Sequence, residues 1–203
     1  WYNFNQVIKA NYMLMDGLYV ADVLNTIQKH GKYCTMANYA QLVNTIGLIR
    51  TDNNGIVITP PGIAMASYWR YCQELWIESQ IEGPKFSNKK FGVIPKMKTN
   101  FLAVSATKSE DNKHLTLVLL NKHLKESIKV NLEEKEASLE NWKDSKVLQL
   151  YHSNPYAMNT PQSRKNIETK EISQESIEWK GSRKISFVIP QHSLNFVLLE
   201  NNQ

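Results

Sequence analysis

Three acidic side chains at helical spacing, Glu74, Glu78 and Glu82, are the first group in this 203-residue chain that could do chemistry. A close pair of carboxyls can serve as general acid and base, or as acid and nucleophile. Acids four residues apart on one helix face more often stand side by side in water, and these read as a solvated surface. Asp16 and Asp22 lie on an earlier helical stretch and read as structural. The histidines at 30, 114, 123, 152 and 192 are scattered, with no H-x-x-x-H pair and no cysteine beside them. They outline no metal site. Cys34 and Cys72 form no C-x-x-C pair and no disulfide framework, so they read as free thiols in a reducing compartment. No G-x-S-x-G elbow surrounds Ser105 or Ser193. The expectation is a protein without metal or cofactor.

Composition narrows the partners. With 42% apolar and 21% charged residues, the chain should fold around a core. Its net charge is +5, but the lysines are dispersed and no basic stripe is interleaved with aromatics. A nucleic-acid partner is therefore not expected. The apolar run from Leu115 to Leu120 is far too short to cross a bilayer, so no membrane partner is expected either. No N-x-S/T acceptor occurs, which with the free thiols points to the cytoplasm. The chain starts at Trp1, without a basic or apolar leader, and reads as a piece cut from a longer protein.

The elements that would position any site change character near residues 81–95. Before that point the pattern is helical. Leu14, Leu18, Ala21, Val23, Leu24 and Ile27 recur at helical spacing, and Gly31 stands where a helix stops. Tyr33 to Ala37 reads as a short buried strand, Ala40 to Ile49 as a helix, and Asp52-Asn53-Asn54-Gly55 as a tight turn. Ile56 to Thr59 reads as extended, and Pro60-Pro61-Gly62 opens a helix running to about Ser79. One lone strand flanked by helices suggests the last units of a repeating β/α barrel. Gly83-Pro84 marks the junction.

Beyond it the strand candidates are Phe101–Thr107, His114–Asn121, Ser127–Leu132, Lys146–Tyr151, Lys184–Ile189 and Leu194–Leu199. Regular short strands with polar turns indicate an antiparallel sandwich. Glu133-Glu134-Lys135-Glu136 reads as a solvated turn.

Met36-Ala37-Asn38-Tyr39-Ala40-Gln41-Leu42-Val43-Asn44-Thr45-Ile46 resembles the last barrel strand and following helix of the family-51 glycoside hydrolases, the α-L-arabinofuranosidases. Asp16 to Asn25 is similar to the helix before it. Ala157-Met158-Asn159-Thr160 and Ile189-Pro190-Gln191-His192-Ser193-Leu194-Asn195 look like two recurring marks of the family's C-terminal sandwich. After Thr59-Pro60 the chain departs from the family: Pro61-Gly62-Ile63-Ala64 stands where a more aromatic run is usual.

The resemblance implies a mainly β chain. Residues 1–82 would be the last helix/strand/helix units of a (β/α)8 catalytic barrel, and 83–203 a jelly-roll-like antiparallel β-sandwich. It implies a retaining glycosidase that releases terminal α-L-arabinofuranosyl groups from arabinan- or arabinoxylan-type oligo- and polysaccharides. The two catalytic glutamates would lie upstream of Trp1, leaving the chain alone inactive. Gln41 is the residue the resemblance assigns to the substrate, and an amide can both donate to and accept from sugar hydroxyls. Asn38 and Tyr39 are candidates for pocket lining, and Trp1 and Tyr2 for stacking on a sugar face. Asn44 reads as a brace for the helix. The full-length protein is expected to be compatible with a homo-oligomer. The competing reading is a non-catalytic, carbohydrate-associated sandwich module, against which stands the lack of a row of aromatics; only Trp142 and Trp179 stand out.

Overall fold

The computed structural model describes residues 12–133, 142–172, 177–180 and 184–201. Trp1 and Tyr2 therefore lie outside the described residues, as does most of the expected turn at 133–136. Helix α1 (Leu14–Lys29) buries Leu14, Leu18, Ala21 and Leu24 along one stripe. The Asp16 carboxylate accepts from Met13 N (2.8 Å) at its first turn, where a negative charge also suits the helix dipole.

A short hairpin follows, β1 (Ile49–Asp52) and β2 (Gly55–Ile58), closed by the expected turn. Helix α2 (Pro60–Tyr71) starts at Thr59, whose hydroxyl accepts from Gly62 N (3.3 Å). Gly17 lets α1 reach α2. A Cβ there would lie 2.9 Å from the carbonyl carbon and oxygen of Pro60, so any side chain would push the helices apart.

Among the described residues, eleven further strands carry the rest of the chain: β3 (Leu75–Ile77), β4 (Lys85–Ser87), β5 (Lys98–Asn100), β6 (Leu102–Lys108), β7 (His114–Asn121), β8 (Ile128–Glu133), β9 (Trp142–Leu150), β10 (Thr169–Glu171), β11 (Glu178–Lys180), β12 (Lys184–Ile189) and β13 (Ser193–Asn201). The main sheet has the order β10-β9-β13-β7-β6-β3, and a second sheet the order β11-β12-β8. The strands in both sheets pair antiparallel. β4 and β5 form a separate hairpin.

The main sheet is buried on both faces, and side-chain alternation assigns each residue to a layer. On β7 and β13, Val118, Leu120, Leu194 and Phe196 face α1 and α2, joining Leu14, Leu18, Ala64 and Tyr68. Their neighbours Leu115, Leu119, Val197 and Leu199 face the second sheet and meet Val130, Ile185, Phe187 and Ile189. This explains why residues 115–120 are nearly all apolar: a strand covered on both sides has no face left for water. Each such Leu contributes about 1.5–3 kcal/mol of burial. The order is thus helices, six-stranded sheet, three-stranded sheet, an antiparallel sandwich with helices on one outer face.

Three local expectations are corrected. Residues 33–37 form no strand, and Tyr33 and Met36 are 83% and 72% exposed. A strand needs an edge to bond with, and none of the described residues offers one there. Residues 40–49 form no helix, because Gln41, Asn44 and Thr45 have φ of 60°, 56° and 53°, the wrong hand for a right-handed turn. Helix α2 ends at Tyr71 rather than near Ser79, since Leu75 to Ile77 pair with β6.

Candidate active-site segment

The segment carrying Asn38, Tyr39 and Gln41 leaves α1 through a turn in which Tyr33 N and Cys34 N donate to His30 O (2.8 and 3.0 Å). Ala37 packs against the core shared by the helices and the main sheet. Asn38 and Gln41 then stand exposed, with Tyr39 half-buried between them.

Past Gln41 the chain is fastened again. Val43 bridges to Ile49, Ile49 N donates to Leu42 O (2.9 Å) and Asn44 N donates to Ile49 O (2.8 Å). The Asn44 side chain accepts from Thr51 N (2.7 Å), and the Tyr12 hydroxyl donates to Thr45 O. Asn44 is therefore a brace, as expected, although it braces a loop rather than a helix. Leu48 O receives both Thr59 N (2.9 Å) and the Thr59 hydroxyl (2.8 Å), tying the loop to the start of α2. Gly47 completes the closure: a Cβ there would lie 2.7 Å from the carbonyl group of Leu42. A β-branched residue at positive φ, such as Thr45, costs on the order of 1–2 kcal/mol, which these bonds offset.

Three of the five proposed site residues thus share one anchored, solvent-facing segment. Between residues 31 and 48 there is no carboxylate and no histidine. The segment can bind and orient a polyol through the amides of Asn38 and Gln41, but it carries no carboxyl or imidazole group for acid–base work.

Glu74 precedes edge strand β3 and Glu78 and Glu82 follow it, all exposed, so the helical face that their spacing suggested does not exist. Asp22 pairs with Lys122 (3.4 Å). His192, 2% exposed, stands between Leu124 O (3.1 Å from Nδ1) and His152 O (2.9 Å from Nε2) and pins two turns together. Burial pushes the Tyr68 hydroxyl well above its usual range; it donates into the Ala21 carbonyl (2.8 Å) and lies 2.7 Å from Asn25 Oδ1. Burial also pushes the Cys72 thiol up to about 11, well outside the range of a reactive thiolate. Among the described residues no group of three or more His, Cys, Asp or Glu could hold a metal ion.

The two sandwich marks acquire a physical meaning. Asn159, 5% exposed, donates to Ile58 O (3.0 Å) and Ile167 O (2.8 Å) and accepts from Ile167 N (2.7 Å). It locks the 153–167 loop onto β2. Asn195 donates to Ser193 Oγ (2.9 Å) and accepts from Gln149 (2.8 Å) in the middle of the main sheet. Along the chain these residues stand out only as marks, because their bonding partners lie up to about a hundred positions away. A separate cleft of about 480 Å³ is lined by Lys129, Gln149, Glu178 and Phe187 and contains none of the proposed site residues.

A family model described as the alpha-L-arabinofuranosidase C-terminal domain matches residues 1–193. The chain belongs to this family. A curated relative, the intracellular exo-α-(1→5)-L-arabinofuranosidase of Halalkalibacterium halodurans, is 29% identical over 154 residues. That match takes in 73% of this chain and 28% of the relative, so the chain spans under a third of that enzyme's length. The α-L-arabinofuranosidase of Thermotoga maritima, solved as an arabinose complex, superposes with a TM-score of 0.82 at 22% identity, over 98% of this chain and 41% of that one. The family-51 arabinofuranosidase of Xanthomonas axonopodis pv. citri gives a TM-score of 0.79 at 21% identity, over 95% of this chain and 37% of that one. These superpositions bear out the sandwich fold of the family-51 C-terminal portion. Among the described residues no helix is long and apolar enough to cross a membrane.

Proposed function

We propose that this chain works as the C-terminal part of an α-L-arabinofuranosidase, a retaining glycosidase that removes terminal α-L-arabinofuranosyl residues from arabinose-containing oligo- and polysaccharides. The observation that carries the proposal is the family match over residues 1–193, joined to an exposed, anchored segment with amides suited to sugar hydroxyls. In this reading residues 1–82 complete a (β/α)8 barrel and 83–203 form the sandwich that braces it. Gln41 then stands at the barrel mouth, where such sites gather. It contacts the non-reducing arabinose, with Asn38 and Tyr39 beside it and Trp1 and Tyr2 available for stacking. The acid/base and nucleophile glutamates come from the preceding sequence and supply the double displacement. The relative's intracellular designation supports a cytoplasmic location.

The test is steady-state kinetics on an aryl α-L-arabinofuranoside with the longer protein, alongside the 203-residue chain alone. The chain alone should be inert. Gln41→Ala in the longer protein should lower kcat/KM by about 1–3 kcal/mol, a ~5- to 150-fold fall, with little change in melting temperature. Unchanged kinetics, or a fall explained wholly by lost folded fraction, would make Gln41 structural. Turnover by the isolated chain would overturn the assignment of the glutamates.

A further inference from the structure

Gln41, Asn44 and Thr45 have φ of 60°, 56° and 53°, a conformation that non-glycine residues keep only where their surroundings enforce it. The enforcement reaches the loop from three donors. The Tyr12 hydroxyl holds Thr45 O, Ile49 N holds Leu42 O (2.9 Å) and Thr59 N holds Leu48 O (2.9 Å). All three donors lie beside or opposite backbone gripped by one turn of the sandwich, residues 155–159. Next to Tyr12, Met13 bridges to Met158, Leu14 N donates to Ala157 O (2.9 Å) and Met15 N donates to Pro155 O (3.1 Å). Next to Thr59, Ile58 O accepts from Asn159 Nδ2 (3.0 Å), and Ile58 is the partner of Ile49 across the β1–β2 ladder.

The route from Asn159 to Gln41 is short. It runs from the Asn159 amide to Ile58, across the ladder to Ile49, and from Ile49 N to Leu42, the neighbour of Gln41. Its far end is fixed. Asn159 is bonded twice to Ile167, which is 1% exposed in the core between the helices and the main sheet. The hairpin has a lesser second hold at its turn, where Arg164 Nη2 donates to Asn54 O (3.3 Å) while Nε donates to Pro161 O (3.2 Å). Gly55 leaves room for this guanidinium, since a Cβ there would lie 2.3 Å from Nη2.

We propose that Asn159 is a positioning residue for Gln41, so that the sandwich sets where the Gln41 amide meets the sugar. The proposal rests on the reading of Gln41 as a substrate contact. Without the Asn159 amide the β1–β2 hairpin keeps its own ladder but loses its fixed distance from the core, and the Gln41 loop moves with it. Misplacement by about 1 Å is enough to cost an enzyme up to about a hundredfold in rate.

A double-mutant cycle in the longer protein tests this, with kcat and KM on an aryl α-L-arabinofuranoside expressed per folded molecule. Asn159→Ala should lower kcat/KM by about tenfold, in the same constant, kcat or KM, that Gln41→Ala changes. In the Gln41→Ala background it should change kcat/KM by less than about twofold, because the group it places is gone. Asn195→Ala, which empties a clamp in the main sheet away from the hairpin, should stay within about twofold of the native enzyme. Should Asn159→Ala yield too little folded protein, Arg164→Ala carries the cycle with a fall of about threefold. Hydrogen exchange on the 203-residue chain reads the link without any substrate. Asn159→Ala should speed exchange at the amides of Asn44, Ile49 and Thr59 by about tenfold more than at those of Val118 and Phe196. Equal acceleration at both sets, effects of Asn159 and Gln41 that multiply, or an equal fall for Asn195→Ala would overturn the positioning role alone. Native kinetics for Gln41→Ala would overturn the reading of Gln41 itself, and the positioning role with it.

Discussion

Replacing Asn159 by alanine should destabilise the chain far more than a surface position near a loop suggests. The side chain makes three hydrogen bonds, to Ile58 O (3.0 Å), Ile167 O (2.8 Å) and Ile167 N (2.7 Å). Asn159 and Ile167 are 5% and 1% exposed, so the groups left behind have little access to water. Each net bond is worth about 1 kcal/mol and an unpaired buried N–H about 1–3 kcal/mol; with partial relaxation the loss should be about 2–4 kcal/mol. At about 2–4 °C per kcal/mol for a domain of this size, the melting temperature should fall by about 5–15 °C. The assay is urea and thermal unfolding followed by circular dichroism, with the urea slope checked for constancy. Asn159→Asp separates donor from acceptor. It keeps the bond from Ile167 N but sets a carboxylate against two carbonyl oxygens, which raises its folded-state pKa above the ordinary value of about 3.9. A raised folded pKa means that stability is fully present below the unfolded value and is lost as pH rises through the folded one. The Asp variant should therefore recover on acidification from neutral pH toward about 4, relative to the Ala variant. A loss under about 0.5 kcal/mol for Asn159→Ala, no larger than that of exposed Gln80→Ala, would refute the reasoning.

Gly47→Ala would place a Cβ 2.7 Å from the carbonyl group of Leu42, so it should cost about 1–3 kcal/mol and loosen the loop behind Gln41. Limited proteolysis between residues 38 and 48 should quicken, and unchanged cleavage would count against the closure described. With the Cys72 thiol raised to about 11 by burial, only about one part in a thousand is thiolate near pH 8. Iodoacetamide followed by peptide mass mapping should label Cys34 first, and equal labelling rates would show that Cys72 is not shielded. The Ser109 hydroxyl (2.7 Å) and Lys113 N (3.0 Å) hold the Asp111 carboxyl below its usual value of 3.8. The stability it adds is present above the unfolded pKa and lost as pH falls through the folded one. Urea midpoints of native and Asp111→Asn proteins should therefore converge in acid, and a difference independent of pH would contradict this.

What the sequence determined by itself was whatever depends on short-range repetition. The period-two runs at His114–Asn121 and Lys184–Ile189 are strands over those same residues, because side-chain alternation and β-propensity act within a few positions. The stripe on α1, the Asp52–Gly55 turn and the Thr59-Pro60 helix start are likewise local and were legible. The motif around Gln41 was legible as a resemblance, but its conformation was not. Residues 33–49 owe their path to bonds made from outside the segment, from Tyr12, Thr51 and Thr59, and to a packing limit at Gly47. Their apolar content reads as strand and helix until the three positive-φ residues are seen. The end of α2 was hidden for the same reason: the residues after Tyr71 have a fair helical pattern, but β6 offers Leu75 to Ile77 a ladder of hydrogen bonds that a helix would forgo. Tertiary structure alone decided that Asn159 and Asn195 are clamps, because their partners lie on distant strands and loops. It also decided that Glu74 and Glu78 flank a short edge strand, with Glu82 beyond it and a lysine-rich hairpin following, since residues four apart are separated by about 6 Å along a helix but about 13 Å along an extended chain.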